Sequence, residues 1–149
     1  MPDFLVMPYK ECDFLCPKEE FEASTMRVTE NGRVKFGDLS LREVDLDGRL
    51  RTLFPEISPQ NTGLSLVCRA DRLFPSQENP FQDELVALRV GSESFVAPYA
   101  FSDFRLIPYL LRSKLMSHGI QAIRFVSEKV QYLIDLPAFL QDGRAGATL

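Results

Sequence analysis

Val44-Asp45-Leu46-Asp47-Gly48-Arg49-Leu50 and Ile134-Asp135-Leu136-Pro137-Ala138-Phe139-Leu140 follow one pattern: an apolar residue, Asp, Leu, three residues, then Leu, at an offset of 90 positions. The physical sense of the pattern is a strand running into a short helix. The apolar residue ends a buried strand, the Asp turns outward or caps the helix, and the two leucines one turn apart pack back onto the strand. Asp45 and Asp135 are therefore expected to be structural residues of these two turns, and Leu46 and Leu136 to be core.

A second pair of words precedes the first. Phe14-Leu15-Cys16-Pro17 is echoed by Phe95-Val96-Ala97-Pro98, each after an apolar run and a polar turn, at an offset of 81. Two words in the same order in both halves suggest a pseudo-duplication, with each half running hairpin, further strands, apolar-Asp-Leu and short helix.

Outward from these words, the chain reads mainly as strands. Phe4 to Tyr9 and Phe14 to Pro17 form a hairpin around a polar turn. Asn31-Gly32 is the strongest local turn signal. Val34 and Phe36, then Leu39 and Leu41, alternate with polar residues as half-buried strands do, with a slip at Gly37-Asp38. Leu46, Leu50, Leu53 and Phe54 have helical spacing, and Pro55 stops that helix. Leu64 to Cys68, Leu85 to Val90, Phe95 to Ala97, Ile120 to Val126 and Val130 to Ile134 are further strands. Residues 55–63 and 75–82 are loops, and 137–140 a short helix. Phe104 to Met116 has helical spacing with Pro108 inside it, so helix and strand both remain open there.

Composition places the chain among globular domains. Its 149 residues are 45% hydrophobic and 26% charged, and 17 basic against 21 acidic residues give a net charge of −4. Such a charge provides no general attraction to nucleic acid or an anionic membrane. The N-terminal residues lack a basic region followed by a long apolar run, and no run approaches the roughly 20 residues of a membrane span, so neither a secretory signal nor membrane insertion is expected. Cys12, Cys16 and Cys68 read as reduced thiols of a cytoplasmic protein.

Catalytic chemistry has little to start from. His118 is the only histidine, and its neighbour Ser117 does not supply the geometry of a Ser-His-Asp site; a loop role fits it better. Cys12-x-x-x-Cys16, with Cys68 and His118, matches no standard zinc spacing. Glu19, Glu20 and Glu22 read as a solvated cluster, and Arg42, Arg49 and Arg51 as a solvated face. No phosphate-cradling glycine loop is present. The chain is expected to be no enzyme and to hold no cofactor and no metal.

Taken together, the order of the words resembles the CheW family of bacterial chemotaxis coupling proteins, over about Phe4 to Leu140. The matching pieces are Phe4 to Pro17, Gly32-Arg33-Val34 onward to Val44-Asp45-Leu46, and Gly119-Ile120 through Val130, Leu133 and Ile134-Asp135-Leu136 to Leu140. The resemblance implies a mainly β fold with short helices, in two pseudo-duplicated five-stranded β-barrel lobes. It implies one domain over 1–141 of two intertwined lobes, approximately the halves 1–63 and 64–141, with 142–149 as a flexible tail. It also implies an adaptor that joins the regulatory domain of a CheA-like histidine kinase to the cytoplasmic tip of a chemoreceptor, through an apolar groove between lobes and an end-on kinase contact.

Asn31-Gly32 stands at the family's receptor-linked turn and so is the candidate partner-binding pair. The family often has Arg where this chain has Asn31, and a Val-Asp pair near the place of Tyr99-Ala100. A different class of reading is a small acidic chaperone or secretion-system accessory protein, which size and charge suit and the repeated β words do not.

Overall fold

The computed structural model describes residues 1–59, 61–74 and 85–140. The elements in chain order are β1 (Asp3–Pro8), β2 (Cys12–Pro17), β3 (Ala23–Met26), β4 (Thr29–Glu30), β5 (Arg33–Phe36), β6 (Leu39–Asp45), α1 (Leu46–Leu53), β7 (Leu64–Arg69), α2 (Ala70–Leu73), β8 (Leu85–Val90), β9 (Phe95–Pro98), α3 (Tyr109–Ser117), β10 (Ile120–Val126) and β11 (Lys129–Ile134). A last helical turn and a half, α4, covers 136–140. The fold is mainly β with short helices, in two curled sheets.

The chain divides into two compact units. Unit 1 is Met1–Lys18 with the chain from Phe95 onward, and unit 2 is Glu19–Ser94. Each unit holds one sheet. The sheet of unit 1 has the order β10-β11-β2-β1-β9, and that of unit 2 the order β3-β7-β8-β6-β5-β4.

The two sheets have the same plan. In unit 1, β10 and β11 form an antiparallel hairpin, β11 runs parallel to β2, and β2, β1 and β9 follow antiparallel. In unit 2, β5 and β6 form the hairpin, β6 runs parallel to β8, and β8, β7 and β3 follow antiparallel. Two-residue β4 extends the second sheet beyond this plan. Thus β1, β2, β9, β10, β11 and α4 correspond to β7, β8, β3, β5, β6 and α1. The halves 1–63 and 64–141 each give strands to both sheets, and the boundary at 63/64 lies inside unit 2.

The cores correspond as the strands do. In unit 1, Phe4 and Val6 of β1, Leu15 of β2 and Leu133 of β11 pack together with Ala97 and Ala122. In unit 2, Val67 of β7, Ala87 of β8, Leu41 of β6 and Val34 of β5 pack with Ala23 and Phe36. Burying a large apolar side chain of this kind contributes about 1.5–3 kcal/mol, so the few inward positions per strand stabilise each sheet strongly. Phe4 adds edge-on ring contacts with Tyr99 and Phe101, at centroid distances of 6.2 and 5.3 Å.

The apolar-Asp-Leu words occupy equivalent places. Val44 is the last residue but one of β6 and Ile134 the last of β11, and Leu46, Leu50, Leu136 and Leu140 are all buried. Asp45 is the N-cap of α1, accepting the Gly48 N–H on Oδ1 at 2.9 Å. Asp135 holds the second turn by its backbone: its N–H donates to the Gly119 carbonyl at 2.8 Å, and its carbonyl accepts the Phe139 N–H at 2.9 Å.

Three sequence expectations differ from the structure. Phe14-Leu15-Cys16-Pro17 and Phe95-Val96-Ala97-Pro98 are not equivalent: the first is β2, inside the unit 1 sheet, and the second is β9, at its edge. Short apolar words specify a strand but not its neighbour, and the counterpart of β2 is β8. For the same reason β8 and β9 are no hairpin, since they belong to different sheets. Finally, Pro108 does not sit inside a helix. It precedes α3 at the cap position, where a fixed φ and a missing N–H are tolerated. The expected loop at 75–82 and tail at 142–149 lie outside the described residues.

Candidate functional site

Asn31 and Gly32 form the tip between β4 and β5. Both have positive φ, 54° and 75°, the combination that a tight two-residue hairpin turn requires and that Asn-Gly supplies. Both residues are exposed, and nothing lies within 4 Å of where a Gly32 Cβ would be. The turn thus presents backbone and the Asn31 amide to solvent. Arg33, directly after it, turns back and donates through Nε and Nη2 to the Ser40 carbonyl at 3.2 and 2.8 Å.

Asp45 belongs to a group of charges in unit 2. Arg89 of β8 lies 3.9 Å from its Oδ2 and donates to the Thr62 hydroxyl at 2.7 Å. Arg27 and Glu43 form a two-pronged pair at 2.6 and 2.8 Å. The Glu43 hydrogen bond and negative charge hold Arg27 above its ordinary pKa against the opposing effect of burial. These contacts tie β6, β8 and the chain after β3 together, so their first consequence is structural.

In unit 1 a polar row crosses three strands. Asp13 of β2 meets Lys129 of β11 at 2.7 Å and accepts from the Gln131 amide at 2.9 Å. Arg124 of β10 lies 3.4 Å from the Gln131 carbonyl oxygen and 5.0 Å over the Tyr99 ring. The row spans the parallel β2–β11 contact, where hydrogen bonds are slanted and pairing is slightly weaker.

Cys12, Cys16 and Cys68 are buried and not disulfide-bonded. His118 is half-buried and caps the C-terminus of α3. Among the described residues no three His, Cys, Asp or Glu side chains gather as a metal site, and no described helix is long and apolar enough to cross a membrane. Of the residues singled out from the sequence, Asp45 and Asp135 lie in equivalent turns of different units, and Asn31-Gly32 lies at a hairpin tip. No one site collects them.

What sequence reasoning missed is an apolar surface. In unit 1, Leu106, Tyr109 and Leu110 are 78%, 82% and 90% exposed, and Leu111, Met116 and Phe125 are also exposed. Helical spacing of apolar residues ordinarily marks a face that packs inward, whereas α3 buries none of its residues. Isolated apolar residues on a surface carry no message, but a concentration of them does. The arrangement suits recognition of another macromolecule better than covalent chemistry.

No protein-family model matches the chain, and a search of curated proteins finds no match. Among solved structures, the fold is similar to that of the scaffolding protein TtCheW from Thermoanaerobacter tengcongensis, with a TM-score of 0.55 and 12% sequence identity. The likeness covers 91% of this chain and 86% of that one. It shows the fold alone: a mainly β chain with short helices and two β-barrel-like lobes, as in CheW.

Proposed function

We propose that this chain is a non-enzymatic signalling adaptor that couples a chemotaxis histidine kinase to chemoreceptors through protein–protein contacts. The observation that supports this reading is the likeness to a scaffolding protein across nearly the whole chain, 91% of it. Fold alone does not dictate function. Here the likeness extends to the whole plan, two sheets of one strand order with strands exchanged between sequence halves.

In this reading residues 1–141 act as one domain in the cytoplasm. The kinase side is the regulatory domain of a CheA-like enzyme, and the receptor side is the cytoplasmic tip. Asn31 and Gly32 sit on the receptor side, presented by a turn whose shape depends on Gly32. Coupling then consists of making different contacts in the kinase-on and kinase-off states, since only differential contacts shift an equilibrium.

Calorimetry of the full chain with the kinase regulatory domain from the same organism tests the reading. Saturable binding near micromolar, about −8 kcal/mol, is expected. No heat at a hundredfold higher concentration overturns it. Asn31→Arg, which restores the side chain that the family often carries there, is expected to strengthen binding to the receptor tip and leave kinase binding unchanged.

A further inference from the structure

Residues 104–127 contain four cations, Arg105, Arg112, Lys114 and Arg124, and no carboxylate. The other 125 residues hold 13 basic and 21 acidic groups, a net of −8. Charge is therefore segregated along the chain, and the basic stretch is the one that contains α3. Arg105, Arg112 and Lys114 are all exposed.

The helix itself buries none of its residues. Its apolar side chains do not form one stripe. At about 100° per residue, Tyr109 and Met116 share one side, Leu110 lies a quarter-turn on, and Leu111 lies beyond it. Arg112 and Lys114 fall between these groups. A helix apolar on several sides is ordinarily a covered helix.

The ends of the segment are anchored. Arg105 and Ile123 exchange both backbone hydrogen bonds, at 2.7 and 3.0 Å, and Ile107 is buried. At the other end Gly119 and Ile120 are buried, and the Gly119 N–H donates to the Met116 carbonyl at 3.0 Å. The helix is thus fixed at both ends, lies against β10 and leaves these side chains exposed, so its docking face is preorganised.

We infer that α3, with Leu106, is a docking ridge that inserts into an apolar groove rimmed by carboxylates on a partner protein. The mode is that of a helix laid in a groove, with this chain supplying the helix. A groove covers the several apolar sides that a flat surface leaves wet. Carboxylates on its rim meet Arg105, Arg112 and Lys114, steering the encounter and fixing orientation.

Other occupants fit less well. An interfacial membrane helix collects its cations opposite its apolar face, whereas here they interleave. A two-fold pair of α3 helices brings Arg112 and Lys114 of both copies into one apolar interface. Nucleic acid gives Leu106, Leu110 and Leu111 nothing to bury against. The inference does not rest on the adaptor reading: it predicts a groove chemistry, whichever protein carries it.

A photo-crosslinking amino acid at position 110, in the full chain and in its native cells, tests this. Leu110 is 90% exposed, so the substitution leaves the fold intact, checked by circular dichroism. The expected result is one protein adduct whose crosslinked residue, mapped by mass spectrometry, lines an apolar groove with acidic residues on its rim. Arg112→Glu with Lys114→Glu is expected to reduce that adduct at least tenfold. Adducts to lipid, to nucleic acid or to a second copy, an adduct insensitive to the charge reversal, or no adduct overturns the inference. Kinase binding by calorimetry is a separate readout, so either proposal can fail alone.

Discussion

The carboxylate of Asp45 and the backbone of Gly48 are fitted to each other: Oδ1 accepts the Gly48 N–H at 2.9 Å, and a Cβ on residue 48 stands 2.6 Å from Oδ2. The cap and the missing side chain are one device. Asp45→Ala alone is expected to destabilise unit 2 by about 1 kcal/mol, the worth of an N-cap. Gly48→Ala gains about 1 kcal/mol of helix propensity but displaces the carboxylate, for a net near zero. The double variant keeps the propensity gain, so adding Asp45→Ala to Gly48→Ala is expected to cost nothing. Urea midpoints of the four proteins check this non-additivity.

Gly119 and Gly32 both have positive φ, 85° and 75°, but their surroundings differ. A Cβ at 119 meets the Phe139 nitrogen at 2.6 Å and the Asp135 carbonyl at 3.1 Å, which are backbone atoms, while one at 32 meets nothing within 4 Å. Gly32→Ala is expected to cost about 1–2 kcal/mol, the left-handed backbone penalty. Gly119→Ala is expected to cost clearly more, since α4 must also move, and thermal melts of the two variants give the comparison.

Asp13 joins β2 to β11 through Lys129 and the buried Gln131. Asp13→Ala leaves the Gln131 amide buried without this acceptor, at a cost on the order of 1–3 kcal/mol. Asp13→Asn keeps an acceptor for Gln131 and loses only the ion pair, so its loss in urea stability is expected to be smaller.

Asp71 lies beside Arg69, whose guanidinium donates to both carboxylate oxygens at 3.1 and 2.9 Å. That hydrogen bonding holds the Asp71 carboxyl below its usual range. A carboxyl lowered in the folded state adds stability above its unfolded pKa and loses it as pH falls through the folded one. The pair is exposed, so the effect on stability is small. Arg69→Ala is expected to raise the Asp71 pKa toward the ordinary carboxylate value, as read by NMR titration.

How much of this was legible in the sequence depends on what each stretch encodes. The words around Asp45 and Asp135 were readable because strand end, turn and two buried leucines are all local. β3 was not, since Ala23–Met26 alternates between half-buried and exposed residues with no large side chain facing inward. The exchange of strands between sheets is written nowhere locally: β2 and β9 share a word but not a place. The docking ridge was hidden for the opposite reason, because leucines at helical spacing look alike whether a core or a partner covers them.

Asp13 and Gln131 are 118 positions apart, yet they are neighbours in the sheet. On a ribosome the β1–β2 hairpin emerges almost at once, and one edge of β2 then stays open until Val130 to Leu133 leave the exit tunnel. An unpaired strand edge flanked by apolar side chains such as Phe14 and Leu15 is a template for wrong pairing. Synthesis of this protein is thus a long wait with an exposed edge, and its yield in a cell is expected to depend on chaperone supply and translation speed more than its final stability suggests.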